Sequence, residues 1–161
     1  MKRIDQVLQV SMVIAGVIAL SILSIPILLV AWPVNFLQQK QFDNRYRAYL
    51  KMLEGKNFLC YNNRKKSMEY IHNELIPILP ENVEVIYLNG KVPQSHYESK
   101  YISYALYSLK HYSKFPHLMK VRNGEVIDCS INQDLHHVID HQKSMDSLLG
   151  VINEFFDLNR Q

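Results

Sequence analysis

His136-His137-Val138-Ile139-Asp140-His141 is the densest group of ligand-type side chains in the chain. If the stretch is helical, His137 and His141 stand one turn apart on one face, a spacing from which two imidazoles can share a zinc ion. Asp140 between them joins the candidate metal set, with Glu154 or Asp157 as candidate third ligands. The simpler reading is a polar loop or short helix with solvated histidines.

A second group, Asn62-Asn63-Arg64-Lys65-Lys66-Ser67, stands where a helix is expected to begin. Free N–H groups and the helix dipole favour anions at such a point. Arg64, Lys65 and Lys66 could add their charge to hold a phosphate or an acidic peptide, although no glycine-rich phosphate loop accompanies them. Tyrosines crowd residues 97–107, at Tyr97, Tyr101, Tyr104 and Tyr107. They go round a helix, so part of the set must be exposed. Tyr104 is the candidate contact for another protein, against the simpler use of tyrosine as a wet-ended core residue. Two cysteines, Cys60 and Cys129, are too few for a disulfide framework.

The elements that must position these groups follow from periodicity and turn chemistry. Residues 42–53 read as a helical connector ended by Gly55, and 57–61 as a buried strand. Residues 65–79 place Met68, Ile71, Leu75 and Ile78 on one helical stripe closed by Pro80. Residues 83–88 form a β-branched strand ended by Asn89-Gly90, and 91–95 a loop. Residues 97–112 are a second helix with Tyr101, Ala105 (or Tyr104) and Leu109 inward. Strands at 117–121 and 126–131 flank Asn123-Gly124, whose positive-φ tolerance suits a type I′ hairpin. Residues 132–143 are a loop or short helix. Ser144 caps a last helix, 145–158, with Leu148, Leu149, Ile152, Phe155 and Phe156 inward. The order β-α-β-α-β-β-α implies a parallel first pair with a right-handed crossover, an antiparallel hairpin, and helices on both faces of a three-layer α/β domain.

Residues 6–39 contain no Asp, Glu, Lys or Arg. A bilayer core about 30 Å thick is crossed by roughly 20 apolar helical residues, so 10–32 is expected to be a single transmembrane helix, with Pro26 kinking it and Pro33 marking its end. A cleaved signal peptide is the competing reading, but the run is long and closes on a poor cleavage site. The expected organisation is a basic flank at 1–9, the span at 10–32, a juxtamembrane connector at 33–55 and an α/β domain at 56–161. Lys40, Arg45, Arg47 and Lys51 outweigh Lys2 and Arg3, which points to a single-pass cell-membrane protein with its domain on the cytoplasmic side. Charges after residue 40 nearly balance and are dispersed, which argues against nucleic acid as a partner. The expected partners are the lipid bilayer and another protein.

Phe115-Pro116-His117-Leu118-Met119-Lys120-Val121-Arg122-Asn123-Gly124-Glu125-Val126, together with the element order, resembles the thioredoxin superfamily over about residues 56–158. The resemblance implies a cis proline at Pro116 before the third core strand, able to shape a peptide-binding edge. That family carries Cys-x-x-Cys at the start of its first helix, where this chain reads Tyr61-Asn62-Asn63-Arg64-Lys65-Lys66. Dithiol exchange is therefore not available, and the module expected is redox-inert. The same topology separates the first and fourth strands by two spacings, about 9.6 Å, so Cys60 and Cys129 should stay unpaired. His137-Val138-Ile139-Asp140-His141 is in turn similar to the His-x-x-Glu-His of inverzincin metallopeptidases, with Asp140 shortening the base by one methylene.

The function expected from these readings is a single-pass, membrane-anchored, non-catalytic binding or assembly module without a cofactor. The alternative is a membrane-tethered metal enzyme using His137, His141 and Asp140; thiol redox through Cys60 ranks third.

Overall fold

The computed structural model describes residues 2–109 and 114–158; the side chains of 2–11, 15, 19–20 and 22–31 lie outside the description. The chain divides into two compact units, Met1–Arg45 and Tyr46–Gln161. The first consists of helix, part of α1 (Lys2–Met52).

The expected transmembrane span is corrected here. Residues 10–32 do not form a separate segment closed at Pro33, because Pro26 and Pro33 both fall within α1. Much of the expected span has side chains outside the described residues. Over 32–52, where they are described, Gln38, Gln39, Lys40, Gln41, Asp43, Asn44, Arg45 and Arg47 interrupt any apolar run. Among the described residues no helix is long and apolar enough to cross a membrane. The fold class is therefore mixed α/β around one five-stranded sheet, without a membrane-crossing helix among those residues.

The second unit is built on β1 (Asn57–Asn62), whose Phe58, Leu59 and Cys60 are wholly buried. Successive strand residues point to opposite faces, so an unbroken apolar run requires cover on both. β1 pairs in parallel with β2 (Val83–Asn89) and antiparallel with β4 (His117–Arg122). The short β3 (Val92–Gln94) lies outside β2, and β5 (Glu125–Ser130) outside β4, giving the order β3-β2-β1-β4-β5. β3 stands where a loop was expected. The hairpin turn is Gly90-Lys91, with Gly90 at φ +64° and Asn89, the end of β2, opposite Val92.

The crossover between β1 and β2 is not one α-helix. It runs as α2 (Lys65–Tyr70), a π turn at Ile71–Leu75 and a 3₁₀ turn at Ile76–Ile78. Pro77 explains the change: it offers no N–H to the preceding turn and its ring crowds the carbonyl four residues back. Ile78, expected inward, is 45% exposed for the same reason. Ile71 and Leu75 keep their inward stripe and pack with Leu59, Tyr61 and Leu118 of the sheet. α4 (Asn132–Ile139) and α5 (Met145–Phe155) complete that layer through Leu135, Val138, Leu148 and Ile152. Ser144 caps α5, its Oγ accepting from Ser147 N–H at 3.3 Å.

The opposite face carries Phe58, Ile86, Leu88, Met119 and Val121, covered by α3 (Ser99–Tyr107) and the last turns of α1. Tyr97 sets its ring edge-on to Phe58, and Tyr49 and Tyr101 stack at 4.8 Å. The β4–β5 turn has Asn123 and Gly124 at φ 56° and 70°. Glu54 accepts from both of their N–H groups, at 2.7 and 2.8 Å, and Arg122 donates to Asn57 Oδ1 at 2.7 Å. The hairpin is thereby tied to the junction of α1 and β1.

Two tests follow from this packing. Leu118→Ala removes a fully buried side chain from the core beneath α4 and α5 and is expected to cost about 2–5 kcal/mol in urea unfolding; a loss under half a kcal/mol would contradict the core assignment. Glu84 gives the second. Burial raises its carboxyl, but hydrogen bonds from Lys56 and Tyr97 and the charges of Lys56 and His96 outweigh burial and hold it below its ordinary value of 4.5. A carboxyl lowered on folding contributes stability above its unfolded pKa and loses it as pH falls through the folded value. Wild type should therefore exceed Glu84→Gln in stability at pH 7, with the gap closing on titration below pH 4.5.

Candidate functional site

The proposed ligand triad is not assembled. α4 ends at Ile139, and the chain turns there: Asp140 N–H donates to His136 O, and Gln142 N–H donates to His137 O. His141 adopts φ 56°, the left-handed conformation that often closes a helix, so His137 and His141 do not share a helical face. Asp140 is engaged by the Lys66 ammonium at 3.0 Å, which holds its carboxyl below the ordinary value. Among the described residues no three His, Cys, Asp or Glu side chains are placed to hold a metal ion.

The basic group is also divided. Lys66 turns to Asp140, while Arg64 and Lys65 are exposed at the start of α2, which has only six residues. Arg64 N–H donates weakly to Asn62 Oδ1 at 3.4 Å. Tyr104 lies in the other helical layer, on α3. It is 38% exposed and set edge-on to Tyr46 at 4.8 Å. Burial, then the neighbouring Tyr104, pushes the Tyr46 phenol up to about 12. Tyr104 thus serves the seam between α3 and the end of α1, and the structure does not join it to Arg64–Lys66. Pro116 follows a cis peptide bond, and its carbonyl accepts from Ile131 N–H at 3.1 Å.

What the fold does bring together is a cleft of about 650 Å³ along β5. Lys114 precedes β4; Asp128, Cys129 and Ser130 come from β5; Asn132, Gln133, His136 and His137 come from the first two turns of α4. β5 is the outer strand, and its register decides which backbone groups are spent. Arg122 and Glu125 close the two-residue turn, and the Ile131–Pro116 bond continues the same parity at the far end. Hydrogen-bonded pairs alternate along an antiparallel ladder, so Glu125, Ile127 and Cys129 direct their N–H and C=O groups to β4. Val126, Asp128 and Ser130 direct theirs to the open side.

Polar side chains along this edge are partly satisfied. Asp128 Oδ2 stands 3.4 Å from Nδ1 of the wholly buried His117, a contact that is an ion pair only when the imidazole is protonated. Ser130 Oγ donates to Lys114 O at 2.6 Å, which fixes the chain entering β4. By contrast, Asn132 Oδ1 and His137 Nδ1 are buried atoms without a hydrogen-bond partner among the described residues. Leaving such an atom unpaired costs roughly 1–3 kcal/mol, so both mark a place where a ligand's polar groups would be welcome. A smaller cavity of about 410 Å³ lies between the Tyr61–Tyr87 ring pair and the π turn at His72 and Asn73.

Nothing at the cleft is set up for thiol chemistry. Burial, then the carboxylates of Asp128 and Asp134, push the Cys129 thiol up. Burial alone pushes Cys60 up strongly, and both cysteines are free, with β4 between their strands. Of the cleft residues, the sequence points to the histidine cluster as candidate ligands and to Cys129 only as an unpaired thiol. Lys114, Ser130 and Asn132 carried no signal, because edge position is a property of strand order and not of any local motif.

The thiols give a direct check. Because the thiolate is the reactive form, Cys129 should label with a maleimide several-fold slower than a free cysteine at pH 7.5, with the rate climbing as pH rises. Cys60 should label only on unfolding. Fast labelling of Cys129 at neutral pH would contradict the raised pKa.

Comparison with family models, with curated proteins and with solved structures finds no match to this chain. Functional inference for it rests on the cleft and the open strand beside it.

Proposed function

We propose that the chain is a non-catalytic protein-binding module that receives an extended segment of another protein along β5. The observation that carries this reading is the open edge at Val126, Asp128 and Ser130, bordered by a cleft that holds two unpaired buried polar atoms. Strand addition to such an edge draws affinity from main-chain hydrogen bonds and selectivity from pockets for alternate side chains. A redox-inert, thioredoxin-like domain is kept as part of the proposal, supported by the strand order and the lack of Cys-x-x-Cys. Raised thiols and an unassembled ligand triad favour binding over turnover.

Val126→Pro is the discriminating substitution. The Val126 N–H faces away from β4, so proline removes an edge donor and places its ring against an incoming strand without breaking the β4–β5 ladder. Dodecapeptides selected from a random displayed library on the wild-type chain should lose at least tenfold in affinity for Val126→Pro. Urea midpoints of the two proteins should stay close. Selected peptides that bind both equally would overturn strand addition at β5.

A further inference from the structure

We infer that the segment received along β5 is acidic, with an Asp or Glu side chain entering the cleft between Lys114 and His137; this deepens the strand-addition reading and rests on it. Charge distribution argues for a carboxylate. Of the carboxylates nearest the cleft, Asp134 is paired with Lys143 at 3.3 Å, and Asp128 stands 3.4 Å from the imidazole of buried His117. Lys114 is exposed and its ammonium forms no ion pair among the described residues. An incoming cation would meet Lys114 uncompensated, whereas an incoming carboxylate would complete the pairing.

The unpaired atoms argue the same way with more geometric content. An imidazole nitrogen at His137 can donate to a carboxylate oxygen in the appropriate tautomer. The Asn132 amide offers donors and an acceptor whose positions exchange on a flip of the side chain. One carboxylate could therefore take hydrogen bonds from Lys114 Nζ, the Asn132 amide and His137, while Asn132 Oδ1 accepts from the partner's main chain. Register suits this. In the strand added beside β5, side chains alternate between the two faces, so only alternate positions can enter the cleft on the α4 side. The acidic residue should be fixed in phase with the β5 residues whose side chains face α4, Cys129 among them. Its immediate neighbours should be free to vary.

The test uses the full chain and three synthetic heptapeptides, acetylated and amidated, of alternating valine and threonine with glutamate, glutamine or lysine at the centre. Binding is followed by the amide resonances of Val126, Asp128 and Ser130 and the His137 ring signals. The glutamate peptide is expected to bind about tenfold more tightly than the glutamine peptide and to move all four residues, with the lysine peptide weakest. Lys114→Glu, a change at an exposed site, should reverse the order of glutamate and lysine. Equal affinities for the three peptides, or an order unchanged by Lys114→Glu, would overturn the acidic preference and leave strand addition standing. Failure of every peptide to move the β5 resonances at millimolar concentration would overturn both. A concentration-dependent dimer that Val126→Pro dissolves would assign the edge to a second copy and likewise overturn the acidic segment.

Discussion

Burial of β1 on both faces is the constraint from which the rest of the domain follows. Phe58, Leu59 and Cys60 have no exposed surface, and a strand in that state must have a neighbour on each side and a layer of helices on each face. The helix joining β1 to β2 can satisfy one face only. The other is left to α3 and the last turns of α1, which is why Tyr49, Leu50 and Leu53 are buried beyond an otherwise exposed stretch of helix. With β2 on one side, the β4–β5 hairpin must take the other. β5 thereby becomes an outer strand whichever residues it carries.

The sequence made local features legible where a single residue type has one geometric use. Asn123-Gly124 supplied both positive-φ positions of a tight turn, and Ser144 accepts the capping hydrogen bond expected of it. Gly90 offered a related signal, since a glycine at the first central position of a two-residue turn, here Gly90-Lys91, suits a hairpin and would have found β3. Pro77 carried a readable warning too, as an interior proline in a helical pattern. The pattern of Met68, Ile71 and Leu75 survived because a π turn and a 3₁₀ turn still returned those side chains to the sheet. Hydrophobic periodicity reports which residues go inward, and it is largely blind to how the backbone accommodates them.

Other features could not be read because they depend on residues far apart in the chain. Histidine spacing suggested a shared ligand face, but spacing has this meaning only while the helix continues, and α4 stops two residues before His141. Lys66 and Asp140 belonged to two separate candidate sites in the sequence; folded, they neutralise each other. The long uncharged stretch near the amino terminus suggested a span, yet composition alone does not set where a helix begins and ends, and α1 continues to Met52 through both prolines.

The two outer strands of the sheet are unequal, and that inequality gives the edge at β5 its meaning. β3 has three residues with Pro93 at its centre, a short strand of the kind that protects an edge from further pairing. β5 has six residues and no proline, and Val126, Asp128 and Ser130 direct their backbone groups away from β4. An edge strand of that length invites association unless it is blunted by charge, twist or cover. Its charged residues blunt it incompletely: Glu125 lies beside the turn, and Asp128 is drawn to buried His117. Among the described residues, the unpaired buried atoms on Asn132 and His137 sit beside this edge, while a third, Ser95 Oγ, lies just past β3. Backbone, cleft and the first two of these atoms thus converge on one side of the sheet, and a guest that adds a strand there would satisfy them together.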